Sequence, residues 1–517
     1  MQKSTVDWEY YLEKSDKASL SIPGGCFWPR GKMLGGSSGI NGMLYIRGNA
    51  RDFDSWEEQG NKGWSYNHVL KYFRRSETNK MLDGDQDGNM YHGGKGPMKI
   101  DNFFNFDPIK DMVLGGAMDL GYKINLDVNA EEQMGFTTCQ GNINYGRRQS
   151  TGTAFLSTIL DRKNLHVIKH AQVDNVIINN EGSVEGINMI IEGKKLVALA
   201  KKEVILSAGV IGSAQILMQS GVGPQDNLKK LNIEVKKDLS VGKNLQDHTI
   251  VYLPIQLHKS SAKPMPNTDA VDDIYMYMMH KVGSLSHVGA LDLTSFINTV
   301  NDTASYPDIQ FHHLVFRCGE ETKFRQILDN IGYEEAVTES LIKGIKSADI
   351  LMIMVVLLNP KSVGKLELVS KNPSVKPKIY GNYLENDQDV VTLINGIKAI
   401  TKLIRTKTYF EHEASILKVD IPGCKDIKYG NPGYWECYVS HMTTTIYHPV
   451  GTVKMGPDSD PEAVVDERLR VKGIKKLRVI DASIMPTIVS GNTNAATMMI
   501  GEKGSDMIKD DWKKKTS

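Results

Sequence analysis

The sequence carries almost no net charge, because 62 lysines and arginines are balanced by 61 aspartates and glutamates. No large electrostatic field therefore favours nucleic acid or an anionic membrane as a partner. Long apolar runs are also missing. The longest uninterrupted one, Ile350 to Leu358, is too short to cross a bilayer and predicts a buried strand. With 517 residues, 40% of them hydrophobic, the chain has enough apolar material for two or three globular domains.

Cysteine is scarce as well. The five cysteines lie far apart, at Cys26, Cys139, Cys318, Cys424 and Cys437. They form no C-x-x-C pair and no cysteine and histidine spacing typical of zinc, so we expect no metal centre. Their odd number neither establishes nor excludes a disulfide.

The stretch from Gly31 to Asp54 combines small residues with hydrogen-bonding side chains. The glycines that lack a Cβ atom and permit positive φ are Gly35, Gly36 and Gly39. The polar side chains among them are Ser37, Ser38 and Asn41. This pattern favours a backbone that lies against a flat, polar cofactor, although a glycine-rich surface turn has the same composition.

A serine hydrolase is a further interpretation of the same stretch. Residues 35–39 fit the pattern G-x-S-x-G, with Ser37 at the nucleophile position. That motif needs a strand that runs directly into the turn, and residues 29–32, Pro-Arg-Gly-Lys, are a poor strand. The sequence therefore argues against this interpretation.

Three segments near the other end complete a pattern. They are Tyr447 to Thr452, Leu477 to Ser483 and Ser490 to Ala495. Together with the glycine-rich stretch, and in this order, they resemble the glucose-methanol-choline (GMC) oxidoreductases, flavoenzymes that oxidise alcohols. The ends of the chain look most like the arthropod glucose dehydrogenase branch. Gly242 to His248, G-K-N-L-Q-D-H, is another landmark of that family.

The resemblance implies an α/β and α+β protein. An FAD-binding Rossmann-like domain would occupy residues 1–250, a mixed-sheet substrate-binding domain residues 251–430, and residues 431–517 would complete the FAD-binding domain and the active site. The family also suggests an extracellular location. The expected partners are an alcohol, sugar or sterol substrate and either O2 or a quinone as electron acceptor, without a transmembrane segment or nucleic acid.

One family feature is missing. Members begin with a strand, a G-x-G-x-x-G turn and a helix that holds the FAD pyrophosphate, and no such pattern occurs in this sequence. We interpret the chain as a truncated member without the first βαβ unit. Because a central strand would be lost, we expect poor folding of the amino-terminal domain and poor FAD binding. A noncatalytic member with a binding or interaction role is the alternative.

Alcohol oxidation needs a base that works near pH 7, and histidine has the appropriate intrinsic pKa. Of the thirteen histidines, His448 matches the family's base. Asn492 matches the position that holds either a histidine or an asparagine, where its amide would donate to the substrate oxygen. From residue type alone, His448 is a structural histidine and Asn492 a helix cap.

The resemblance also implies cofactor contacts. Those expected around FAD are Gly35, Gly36, Ser37, Asn41, Val173, Asp481, Ala482, Asn492 and Thr493. Some relatives attach FAD covalently through a histidine, and this chain has Ile40 there. We therefore expect FAD to be noncovalent.

Local patterns predict several elements. Val173 to Ile178 and Val184 to Ile191 are β-branched runs that predict a hairpin. A strand from Glu203 to Ser207 should precede a helix capped by Ser213 and ended by Gly221. Apolar spacing predicts a helix from Asp387 to about Thr406, and Asn494 should cap a helix over residues 495–507. Residues 83–96 are expected to form a loop or a lid.

Overall fold

The computed structural model describes residues 2–81, 90–259 and 270–513. The first half of the expected loop or lid, residues 83–89, therefore lies outside the described residues. The helices are α1 (Ala50–Glu58), α2 (Tyr66–Ser76), α3 (Ile109–Asp119), α4 (Gly209–Gln219), α5 (Gln225–Lys230), α6 (Ala270–His280), α7 (Glu321–Ile331), α8 (Glu335–Ile345), α9 (Asp387–Leu403), α10 (Lys407–Glu411), α11 (Pro432–Met442) and α12 (Thr493–Lys513).

Twenty short or medium strands accompany the helices in the described ranges. They are β1 (Tyr10–Tyr11), β2 (Phe27–Trp28), β3 (Glu77–Asn79), β4 (Met98–Ile100), β5 (Gly135–Thr138), β6 (Ile143–Asn144), β7 (Arg147–Arg148), β8 (Ala171–Ile178), β9 (Val184–Ile191), β10 (Lys194–Leu199), β11 (Val204–Leu206), β12 (Thr249–Leu257), β13 (Leu293–Ile297), β14 (Ile309–Phe316), β15 (Asp349–Leu357), β16 (Lys365–Glu367), β17 (Lys378–Tyr380), β18 (Ala414–Ile416), β19 (Thr443–Thr445) and β20 (Leu477–Val479).

A seven-stranded antiparallel sheet occupies the middle of the chain. Its order is β18-β12-β15-β14-β13-β5, and β19 pairs with the start of β12. All nine residues of β15 are buried, which confirms the strand predicted from the apolar run. One face packs against α9, where a Cβ on Gly396 would lie 2.5 Å from Val355. Because side chains alternate along a strand, His312 of β14 lies on the opposite face.

The predicted hairpin is present as β8 and β9, and β10 extends it to three strands. Strand β11 pairs in parallel with β20 and is followed by α4. Among the described strands, none pairs with the other edge of β11, where Ile205 is 41% exposed. Poor folding and poor FAD binding stay predictions, and the flavin content of the purified protein tests them.

Two predicted helix caps are wrong. Helix α4 begins at Gly209, so Ser213 lies inside it, and its hydroxyl donates to Asp481. Helix α12 begins at Thr493, which places Asn494 inside the helix, where its amide donates to Asn142. In both cases the polar side chain forms a hydrogen bond with a residue distant in sequence instead of capping the helix. Helix α9 is confirmed and ends at Leu403, and Gly221 adopts φ 83° after α4.

A disulfide crosslinks the region before β19. Cys424 and Cys437 are bonded, and the ring of His441 lies beside both sulfurs. These three residues form the one cluster of metal-type ligands found in the described residues, and its two sulfurs are bonded to each other. No helix in the described ranges combines the length and apolarity that membrane crossing requires.

Loss of this disulfide should lower stability. Replacing Cys424 and Cys437 together by serine should reduce the free energy of unfolding by about 2 to 4 kcal/mol, because the unfolded chain gains freedom. Urea denaturation measures the change. Cys318→Ser, at an exposed free thiol, is the control and should leave the midpoint unchanged. Equal midpoints for all three proteins would contradict the prediction.

Candidate active site

The loop that carries His448 leaves β19 through a strained turn. Tyr447 adopts φ 68°, a left-handed conformation that is costly for a residue with a side chain. Asp247 holds the next residue, because the His448 backbone N–H donates to Asp247 Oδ1 at 2.8 Å. The hydroxyls of Thr445 and Tyr383 donate to Asp247 Oδ2. Burial raises the pKa of Asp247 to about 6, while these donors oppose the increase.

The imidazole of His448 is enclosed by polar neighbours. Its Nδ1 lies 3.0 Å from Nδ1 of His248, and its Nε2 lies 3.2 Å from the amide nitrogen of Asn492. The side chain is buried, with 9% of the residue exposed. Burial lowers the pKa of His448 well below its usual value, and His248, His312 and Arg30 lower it further. His448 is therefore a neutral imidazole at pH 7.

Asn492 immediately precedes α12 and reaches His448 from the carboxyl-terminal segment. An amide nitrogen can only donate, so His448 Nε2 accepts this hydrogen bond and carries its lone pair. The amide oxygen, Asn492 Oδ1, is buried and has no hydrogen-bond partner among the described residues. The structure thus brings the two expected catalytic residues together, with the amide donating to His448 in this arrangement.

The glycine-rich stretch forms a single 3-10 turn, Gly36–Gly39. Gly35 and Gly36 adopt φ 91° and φ 54°, and a Cβ on Gly36 would meet no atom within 4 Å. The turn therefore presents bare backbone to open space, as expected for a cofactor cradle. Ser37 Oγ accepts hydrogen bonds from Arg30 Nε and from the Gly31 backbone.

Arg30 joins this turn to the His448 loop. Its Nε lies 3.1 Å from Ser37 Oγ, and its Nη1 donates to the Tyr447 carbonyl at 3.2 Å. Sequence reasoning missed Arg30, because it counted residues 29–32 only as a poor strand. Ser37 also contacts a guanidinium here, so the geometry does not suit the serine-hydrolase interpretation.

Asp481 serves as an internal anchor. Its carboxylate accepts from the Gly209 backbone at the start of α4, from the Ser213 hydroxyl inside that helix, and from the backbone and hydroxyl of Ser483. Ala482 accepts from the Gly451 backbone through its carbonyl. Asp481 and Ala482 therefore connect β20, α4 and the loop after His448.

The remaining expected cofactor residues are dispersed. Asn41 accepts from Arg148 and from the Met43 backbone. Val173 lies in the three-stranded sheet, beside a bulge in β8. Thr493 is the first residue of α12, directly after Asn492. Contact of any of these residues with FAD stays a prediction.

Family models confirm the resemblance that the sequence motifs indicate. Two models described as GMC oxidoreductase match residues 23–250 and residues 360–501. The chain belongs to the GMC oxidoreductase family. It is therefore an FAD-dependent oxidoreductase of the kind that acts on alcohols or sugars.

This GMC oxidoreductase is similar to several known enzymes. It is 36% identical to glucose dehydrogenase [FAD, quinone] of Drosophila melanogaster, covering 98% of this chain and 79% of the relative. It is 34% identical to the mitochondrial choline dehydrogenase of Mus musculus, covering 97% and 79%. A formate oxidase variant of Aspergillus oryzae shares its fold, with a TM-score of 0.80, 25% identity and coverage of 99% and 89%.

The residues of this GMC oxidoreductase fit a flavin. Asn492 Oδ1 is a buried acceptor to which no described residue donates, and the backbone at Gly36 faces open space. A Cβ on Gly209, at the turn between β11 and α4, would also meet no atom within 4 Å. Asn492 directly precedes α12, so the positive amino-terminal end of this helix lies beside it. These groups could hold a planar, polar cofactor beside His448.

The Asp247 carboxylate should be essential for the His448 loop. Asp247→Asn replaces an acceptor oxygen by an amide nitrogen that faces hydrogen-bond donors, and should lower the free energy of unfolding by about 2 to 3 kcal/mol. Tyr383→Phe removes one donor to Asp247 and also the acceptor of the buried Trp28 indole N–H, and should cost about 1 to 3 kcal/mol. Urea denaturation of both variants measures the two losses. An Asp247→Asn protein as stable as the wild type would refute this role.

Proposed function

We propose that this GMC oxidoreductase oxidises a CH–OH group, with His448 as the base that takes the hydroxyl proton. The observation that carries the proposal is the 3.2 Å contact between His448 Nε2 and the Asn492 amide nitrogen, which requires a lone pair on Nε2. FAD, when bound, supplies the hydride acceptor. A base within hydrogen-bond reach of the hydroxyl then lowers the cost of removing its proton as the C–H bond breaks.

Asn492 orients the substrate in this proposal. Its amide nitrogen donates to His448 Nε2 at 3.2 Å, so an entering hydroxyl takes the place of this contact and bonds to both groups as they move apart. The hydroxyl then donates to His448 Nε2 and accepts from the Asn492 amide, which holds the carbon and stabilises negative charge on the oxygen. Because an amide is not a useful base, the proton goes to His448 alone.

The substrate class follows from the relatives. The similarity to a glucose dehydrogenase [FAD, quinone] supports a sugar or another polar alcohol as substrate and a quinone as acceptor. O2 is the other acceptor that the sequence leaves open, and a sterol is another substrate. Ile40 has no group that could bond to the flavin, which supports noncovalent FAD. The disulfide between Cys424 and Cys437 supports an oxidising, extracellular location.

A noncatalytic binding role is the second candidate. The observation that favours it is the other edge of β11, with which none of the described strands pairs. A flavin absorbance spectrum of the protein with added FAD separates the two functions. Bound flavin that an alcohol bleaches under anaerobic conditions supports catalysis.

Removal of the base should abolish turnover. We expect His448→Gln to lower the rate of FAD reduction by an alcohol by about 100- to 10,000-fold, the contribution of a positioned general base. Asn492→Ala should have a smaller effect, because the proton acceptor remains. Anaerobic stopped-flow absorbance measures both. His68→Ala, at an exposed histidine of α2, is the control, and a His448→Gln enzyme as fast as this control would overturn the proposal.

The pH dependence follows from the burial of His448. A lowered pKa means that the ring stays unprotonated to lower pH, so kcat/KM should remain flat through pH 6.5 and fall only well below it. Asn492→Asp places a carboxylate next to the ring, which raises the pKa of His448 and should move the acidic limb to higher pH. Steady-state measurement of kcat/KM against pH gives the position of the acidic limb in the wild type and in Asn492→Asp. A wild-type limb centred near pH 6.5 would contradict the burial argument.

A further inference from the structure

His248 is a fully buried histidine whose two ring nitrogens are both engaged. Its Nε2 lies 3.1 Å from the carbonyl oxygen of Leu358, and its Nδ1 lies 3.0 Å from His448 Nδ1. The two rings meet edge to face, with their planes at 83°. The sequence identified this residue only as the end of a family landmark. Its contacts show what it does for the neighbouring ring.

The positions of the protons follow from these partners. A carbonyl oxygen only accepts, so His248 Nε2 carries a hydrogen that it donates to Leu358. Burial lowers the pKa of His248 to about 3, although the carbonyls of Leu358 and Val489 oppose the decrease, so the ring is neutral. With its one hydrogen on Nε2 in the bond to Leu358, Nδ1 bears the lone pair. The short contact between the two Nδ1 atoms therefore needs a hydrogen on His448 Nδ1. In a neutral His448 this leaves Nε2 free to accept a proton.

We propose that His248 is a positioning residue that fixes His448 in the Nδ1–H tautomer and so presents Nε2 as the base. This inference rests on the proposed function of His448. His248 itself touches no reacting atom. It acts through one hydrogen bond, in the way that a second group orients a catalytic histidine in other enzymes.

Other polar groups near His448 cannot replace His248. Neither ring nitrogen of His312 forms a hydrogen bond with His448, although His312 faces it from β14. Arg30 only donates, and its guanidinium is used by Ser37 and the Tyr447 carbonyl. Asp247 accepts from the His448 backbone and does not bond the ring. Within the described residues, His248 is thus the acceptor available to His448 Nδ1.

His248 is held firmly enough for this role. The preceding Gln246 pairs with Val450 through both backbone groups, and its side chain bonds Pro486 and Ile488. Three consecutive residues thus fix the loop that carries His448. Gln246 bonds the backbone of Val450, Asp247 accepts from the His448 N–H, and His248 contacts the His448 ring.

A set of substitutions at residue 248 tests the inference. His248→Leu removes the acceptor and should lower kcat by about 10- to 100-fold, less than the roughly 100- to 10,000-fold that the positioned base itself contributes, while KM changes little. His248→Asn places its amide oxygen near the lost Nδ1 and should restore much of kcat. His313→Leu is the matched control, because His313 is a buried histidine that donates to the Leu293 carbonyl on the opposite face of the sheet. It should retain kcat.

Imidazole 15N NMR of histidine-labelled protein gives a readout that does not depend on turnover. The His448 signals, assigned by their loss in His448→Gln, should show a hydrogen on Nδ1 in the wild type and a mixture of tautomers in His248→Leu. A wild-type His448 with its hydrogen on Nε2 would overturn the inference, even if no variant at residue 248 folded. Equal kcat for His248→Leu and His313→Leu would also overturn it. If His448→Gln abolishes turnover in that case, the proposed function stands without His248.

Discussion

A buried carboxylate, Asp247, holds the loop on which the active site depends. Burial alone would make an ionised carboxylate costly, and the raised pKa of Asp247, about 6, reflects that cost. The His448 backbone and two hydroxyls, from Thr445 and Tyr383, supply the compensating hydrogen bonds. The same contact keeps Tyr447 at positive φ, a conformation that costs of the order of 1 to 3 kcal/mol and persists only where its surroundings enforce it.

Four distant segments converge on this loop. Arg30 connects the glycine turn to the Tyr447 carbonyl, Gln246 to His248 hold the following residues, and Asn492 arrives from the start of α12. Asp481 then ties β20 to α4 behind them. Apart from the contact between Asn492 and His448, which spans 44 positions, each link is a hydrogen bond between residues at least 200 positions apart. The site therefore forms only when the amino-terminal and carboxyl-terminal parts of the chain have docked.

The sequence predicted the elements whose signal is local. The hairpin β8 and β9, helix α9 and the buried strand β15 follow from composition and periodicity, and His448 and Asn492 follow from motifs. The predicted caps at Ser213 and Asn494 failed because partners distant in sequence, Asp481 and Asn142, compete for those side chains. Arg30 and the disulfide were missed for the same reason, since nothing nearby in the sequence identifies their partners. The domain boundaries stay predictions.

The choice of a histidine at position 248 has an electrostatic consequence. A carboxylate in that place would also accept from His448 Nδ1, but its charge would raise the pKa of the ring and favour imidazolium, which cannot accept a proton. A neutral imidazole gives the same orientation without charge, and its own burial keeps it neutral. The Leu358 carbonyl accepts the hydrogen on His248 Nε2, so the lone pair of His248 lies on Nδ1, the nitrogen that faces His448. The group that directs the lone pair of His448 thus orients the ring without adding a negative charge that would favour imidazolium.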